Sequence, residues 1–117
     1  MIMQEVILDA NHYSGYTIAR MQYAIIFAPE AVKDVQLLKA YERSTVRDAI
    51  EQSLRHTPTQ VSKSRIKRLR GMSKPQFRLR VGDIRVFDDV RETTVEILAI
   101  VSKSNAALWL KREGIIE

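Results

Sequence analysis

Phe77-Arg-Leu-Arg-Val-Gly-Asp-Ile-Arg-Val-Phe87 is the stretch whose reading decides the fold of this 117-residue chain. Apolar and polar residues alternate on both sides of Gly82-Asp83, the mark of two strands that each bury one face. Glycine comes first in the two-residue link, as a type II′ hairpin turn requires. A two-residue loop fixes the register: Val81 faces Ile84, Arg80 faces Arg85, Leu79 faces Val86 and Arg78 faces Phe87. Leu79, Val81, Ile84 and Val86 then share one face, and Arg78, Arg80, Arg85 and Phe87 share the other. Directly opposed like charges destabilise a sheet. Arg80 opposite Arg85 therefore reads as a place where an anion sits between two guanidiniums, with Phe87 as a ring on which a base could stack. The plainer alternative is neutralisation of these arginines by Asp88, Asp89 or Glu96.

Upstream, Tyr23-Ala-Ile-Ile-Phe27 has the length and composition of a strand, and Pro29-Glu30 suits the first turn of a helix. Val32, Val35 and Leu38 mark one face of that helix, which is expected to end near Ala40. Val46, Ala49, Ile50 and Leu54 mark a second helix, which stops before Thr57-Pro58 because the residue preceding proline avoids the helical region. Thr59 to Lys74 reads as a polar, basic connector, with Gly71, Ser73 and Pro75 as punctuation. Downstream, Thr94 to Val101 is apolar on both faces in its second half, as a central strand is. Lys103 to Glu113 allows a terminal helix with Ser102 or Ser104 as N-cap and Gly114 as its stop. The order β-α-α-β-β-β-α indicates an α+β fold: an antiparallel sheet with an N-terminal helical hairpin packed on it and a short C-terminal helix. Residues 1–20 lack this periodicity. They read as an extension, whether a tail, an added edge strand or a stretch upstream of the true start, so the folded domain is expected over residues 21–117.

The charge is concentrated. Ten Lys/Arg and three Asp lie between Lys63 and Arg91, a balance of +7, whereas the rest of the chain carries nine basic and eleven acidic residues. Seven of the ten are arginine, which suits bidentate phosphate contacts better than a merely solvated face does. A patch of this kind raises the local concentration of polyanions. Cysteine is absent, which excludes disulfides, thiolate metal sites and a cysteine nucleophile. That composition fits a reducing cytoplasm. No apolar run has the length of a signal core or a membrane span. His12 and His56 lie far apart, no metal-ligand cluster or glycine-rich phosphate loop is present, and Ser102 and Ser104 read as caps. Any catalysis would have to run on Arg and Lys, with neither cofactor nor metal expected.

Three segments carry a family resemblance: Lys67-Arg-Leu-Arg-Gly-Met72, the hairpin Phe77–Phe87, and Val95-Glu-Ile-Leu-Ala-Ile-Val-Ser-Lys103. Together with Tyr23-Ala-Ile-Ile-Phe-Ala-Pro-Glu-Ala-Val32 they resemble the RelE/ParE toxin superfamily of type II toxin–antitoxin systems, from about Met21 to Leu110. The family fold agrees with the element order above. The resemblance implies a cytoplasmic toxin with a cognate antitoxin. In RelE-like members it implies a ribosome-dependent endoribonuclease that cuts mRNA by attack of the 2′-hydroxyl on the adjacent phosphate, with basic side chains stabilising the developing charge. By position, Arg80, Arg85 and Lys103 would be catalytic. Arg78, Lys67, Arg68, Arg70, Lys74, Phe87 and Trp109 would contact RNA. The family commonly carries a tyrosine where Trp109 stands, and an indole has no acid or base function at neutral pH. Trp109 either packs on the sheet or stacks a base. ParE-like relatives, which poison DNA gyrase, are the alternative reading, and a non-catalytic antitoxin-binding relic is a third.

Overall fold

The computed structural model describes residues 21–117, together with two short strands of the first twenty residues, β1 (Val6–Ile7) and β2 (Thr17–Ile18). These pair antiparallel in a sheet of their own. The remainder of the proposed extension lies outside the described residues.

The core sheet has five strands in the order β3-β8-β7-β6-β4: β3 (Ala24–Phe27), β4 (Ile66–Arg68), β6 (Phe77–Val81), β7 (Ile84–Arg91) and β8 (Thr94–Ser102). Helices α1 (Pro29–Leu37) and α2 (Ala40–Leu54) join β3 to β4, and α3 (Lys103–Glu113) follows β8. The α+β class and the helical hairpin are as the sequence indicates. The sheet, however, is mixed: β3 runs parallel to β8, with Ile25 opposite Val95, while the other pairings are antiparallel. The connector expected over residues 59–74 contains the edge strand β4 and the short β5 (Met72–Lys74). β5 pairs with the C-terminal β9 (Ile115–Ile116).

Pro29 opens α1, where its missing N–H has no intrahelical partner to lose. On α1, Ala31 is buried and Val35, one turn on, is partly buried against the core, as is Leu38 just beyond the helix end; Val32, expected on that face, is exposed. Extended backbone at Leu38 and Lys39 separates the helices. Glu42 in the first turn of α2 accepts a hydrogen bond from the Lys39 amide at 3.0 Å, so an acid meets the positive end of the helix. Ala31 from α1, with Val46, Ala49, Ile50 and Leu54 from α2, packs on Ile66, Leu79, Val81, Val86, Val95, Ile97 and Ile100 of the sheet. That apolar layer is the main core and supplies the principal driving force for folding.

Phe87, Leu98 and Ala99 are also buried but lie outside this cluster. Phe87 and Ala99 are register partners on the opposite face, and a shift in the β7–β8 ladder falls directly after them. Helix α3 covers them. The sheet thus carries a helical hairpin on one face and a single helix on the other. Gly114 ends α3 with an ordinary negative φ. Its role is steric, since a Cβ there would lie 2.4 Å from the Met72 side chain and 2.6 Å from the Leu110 carbonyl oxygen.

Candidate nucleic-acid interface

The hairpin has the register its sequence dictates. Arg80 faces Arg85, Arg78 faces Phe87, Leu79 faces Val86 and Val81 faces Ile84. Gly82 takes φ +59° and Asp83 stays at negative φ, the combination a type II′ turn needs. Beyond β6 the pattern extends to β4. Lys67 is the partner of Arg78, and the Arg80 N–H donates to the Arg65 carbonyl oxygen at 2.9 Å. Ile66 between them is buried in the main core, so Arg65 and Lys67 fall on the arginine face. Two rows of side chains cross the sheet: Arg65, Arg80, Arg85 in one, and Lys67, Arg78, Phe87 in the other.

The acids do not neutralise these arginines. Asp88 lies on the opposite face, fully buried, with both carboxyl oxygens free of hydrogen bonds. Asp89 accepts from the Gln76 amide at 2.7 Å, and Gln76 in turn accepts from the Val90 amide. Glu96 pairs with Arg91 at 3.1 Å. The other ion pair among the described residues joins Arg55 to Glu51 on α2. Among the described residues, Arg78, Arg80 and Arg85 therefore have no carboxylate partner. Burial above all, then the charges of Arg85 and Arg80, hold the Arg78 guanidinium below its usual pKa range, and its buried Nε has no partner. An anion placed among the three would relieve both the repulsion and the unmet donor.

Arg85 is not the open side chain the alternation indicates. It is 7% exposed, and its Nη1 donates to the carbonyl oxygens of Gly82 at 2.8 Å and Ile84 at 3.0 Å. The turn thus fixes its guanidinium. Phe87 is likewise no open platform. It is fully buried, because the indole of Trp109 stacks on it with centroids 4.9 Å apart. Trp109 Nε1 donates to Glu30 at 2.8 Å, so α3 is pinned to the start of α1. Lys103 sits at the first position of α3, exposed, and its amide donates to the Asp83 carbonyl at 2.7 Å. It therefore lies beside the turn that holds Arg85.

Three of the proposed RNA contacts lie apart from this centre. Arg68 donates to the carbonyl oxygens of Leu69 and Gln76 and lies over the Phe77 ring, which ties it to the edge of the sheet. Arg70 is exposed in the turn before β5, and Lys74 sits on β5 opposite Ile115. Arg65 is the cation the sequence reading missed. Its signal was its spacing from Lys67 and Ile66, which becomes legible only once β4 is recognised as a strand.

With this geometry in place, residues 25–107 match the family described as the ParE toxin of type II toxin–antitoxin system, parDE. The chain belongs to the ParE toxin family. Its fold is that of solved toxins in the wider RelE/ParE superfamily. A double arginine-to-alanine mutant of the E. coli toxin RelE in its free state is similar at TM-score 0.60 and 19% identity, over 80% of this chain and 99% of that one. The toxin–antitoxin complex RelBE2 from Mycobacterium tuberculosis is similar at TM-score 0.58 and 25% identity, over 70% and 92%. The RelB–RelE antitoxin–toxin complex from Methanococcus jannaschii is similar at 0.56 and 22%, over 72% and 96%. No curated protein matches the sequence. Among the described residues of this ParE-family toxin, no helix is long and apolar enough to cross a membrane.

Proposed function

We propose that this toxin acts on RNA, as an endoribonuclease that cuts mRNA at the ribosome in the cytoplasm. The observation that carries the reading is the trio Arg78, Arg80 and Arg85, gathered on one sheet face with no carboxylate partner among the described residues. A scissile phosphate between Arg80 and Arg85 would meet two forked donors, and the pentacoordinate charge that develops as the 2′-hydroxyl attacks is what such donors stabilise. Lys103, whose amide bonds to Asp83 in the hairpin turn, would approach the same phosphate. The expected partner is a cognate antitoxin, an acidic and partly disordered peptide that covers the basic hairpin face or the helices beside the sheet. Exposed Val32, Leu37 and Tyr41 give the helical hairpin an apolar surface for it.

A second reading, inhibition of DNA gyrase by binding alone, is favoured by one observation. Trp109 carries no transferable proton at neutral pH, and its N–H is already given to Glu30. Primer extension on an mRNA during translation, run beside a gyrase supercoiling assay, separates the two. Discrete new 5′ ends with unimpaired supercoiling support the nuclease. Blocked supercoiling without new ends overturns it.

A further inference from the structure

The five-stranded sheet has two edges, and they are finished differently. At the β4 edge the Ser62 amide donates to the Ile66 carbonyl oxygen, and Ser62 Oγ accepts from the amides of Arg65 and Ile66. That loop, with Lys67 and Arg68 in the strand, closes the edge in the way natural sheets block unwanted pairing. The β3 edge has no such protection. Its inner side is taken by β8: the Ala24 amide donates to Thr93 and the Ala28 amide to Ile97. By alternation the backbone groups of Ile26 face β8 as well, and the N–H and C=O of Ile25 and Phe27 point outward. Among the described residues β8 is the only strand beside β3. The β3–β8 ladder runs without a bulge, and residues 21–28 contain neither a charge nor a proline. Met21, Ile26 and Phe27 are exposed there, Ile26 by 52%.

We infer that the β3 edge is a self-association surface, on which a second copy of this chain adds its own β3 antiparallel. A twofold axis at Ile26, normal to the sheet, pairs Ile25 of each copy with Phe27 of the other. The two outward N–H and two outward C=O groups of each strand are then satisfied together. Ile26 meets the same residue of the second copy as a non-hydrogen-bonded pair, Cα atoms about 4.5 Å apart, which buries its exposed side chain. Charge favours this occupant. The chain carries +5, yet Arg78 and Arg80 on β6 lie three strands from this edge, about 14 Å. That exceeds the roughly 8 Å screening length at physiological salt. Glu96, the register partner of Ile26, is already paired with Arg91. Two copies therefore meet here without opposed charges. An acidic antitoxin peptide gains no cation at this edge and finds its cations at the opposite one. Because the axis is normal to the sheet, both arginine faces look the same way and stay clear of the contact.

Sedimentation velocity on the full chain, with hydrogen exchange at the Ile25 and Phe27 amides, tests this. A concentration-dependent dimer of twice the 13.5 kDa chain mass is expected. Only two residues per strand pair, so its dissociation constant should fall in the micromolar range. Both amides should exchange more slowly as concentration rises. Ile26→Lys and Ile26→Glu each set like charges face to face and should each weaken the dimer about tenfold. Mixed in equal amounts the two variants should restore it, a result that loss of folding cannot give. The side chain is exposed, so both should fold, which Trp109 fluorescence checks. A monomer up to millimolar concentration overturns the inference. So does a dimer that both variants leave intact, or a mixture that stays monomeric. Dimerisation only in a chain beginning at Met21 would show that residues 1–20 cover the edge. Slow exchange of these amides only in the antitoxin complex would give the edge to that peptide. Either result removes the second copy as occupant.

Discussion

The indole of Trp109 lies flat on Phe87, ring planes 7° from parallel, and its N–H is held by Glu30 of α1. This contact turns what alternation presents as an open sheet face into one half covered by α3. Trp109 is the sole tryptophan, so its fluorescence reports α3 docking directly. Trp109→Ala should lower stability by about 3 kcal/mol, at the low end for truncating a large aromatic because the ring is only half-buried. Glu30→Gln should cost about 1 kcal/mol through the weakened hydrogen bond. Urea midpoints measure both. Trp109→Tyr should cost a little stability and leave toxicity flat; a rise in cleavage would place a proton-transfer role at this position after all.

Arg80 and Arg85 should separate by stability rather than by function. Arg80 is exposed, and Arg80→Ala should change unfolding free energy by less than about 0.5 kcal/mol. Arg85→Ala removes two bonds that brace the hairpin turn and should cost about 1–2 kcal/mol. Both should weaken RNA binding. Equal stability in the two variants would show that the turn does not depend on Arg85.

Asp88 gives the protein a pH signature. Its carboxyl is buried without a partner, and burial first, then the Asp89 charge, push its pKa well above 3.8. Asp34, half-buried where it accepts the Ile100 amide, is raised by burial as well, and less by Glu30, although that hydrogen bond opposes the rise. A folded state that binds more protons than the unfolded chain loses stability as pH rises. Stability should therefore fall from about pH 4 upward until the raised folded-state value is passed. Asp88→Asn should flatten most of that slope, with Asp34 accounting for the remainder. An unchanged slope would mean that Asp88 titrates normally in the fold.

A chain beginning at Met21 should fold with a melting temperature within a few degrees of the full-length protein. The start of β3 is held from within residues 21–117. The Tyr23 amide donates to Arg55, the Ala24 amide donates to Thr93, and His56 Nδ1 lies 3.0 Å from the Met21 carbonyl. A large drop would show that residues 1–20 cover part of the core.

The sequence and the structure agree where information is local. Gly82-Asp83 and the alternation around it specify turn, register and faces without outside help. The departures are long-range. β4 has one apolar residue, Ile66, in a run of cations, and it is a strand only because β6 offers it an edge. The parallel β3–β8 pairing joins segments about seventy residues apart, which no periodicity encodes. The burial of Phe87 depends on where α3 lands, and the polar composition of Lys103–Glu113 does not specify that; Arg85 folds back on the carbonyls of its own turn, which alternation does not show. The cationic character of the site was therefore plain from sequence, whereas the accessibility of its members was not.

The central claim is that the arginine face handles a scissile phosphate in RNA. Primer extension on mRNA undergoing translation, comparing the wild-type toxin with Arg80→Ala and Arg85→Ala at matched folded concentration, tests it most directly. Discrete cleavage by the wild type, reduced about a hundred- to a thousandfold in either variant, is the outcome expected for removing one donor to transition-state charge. Undiminished growth inhibition by both variants, with no new 5′ ends in any lane, would contradict it.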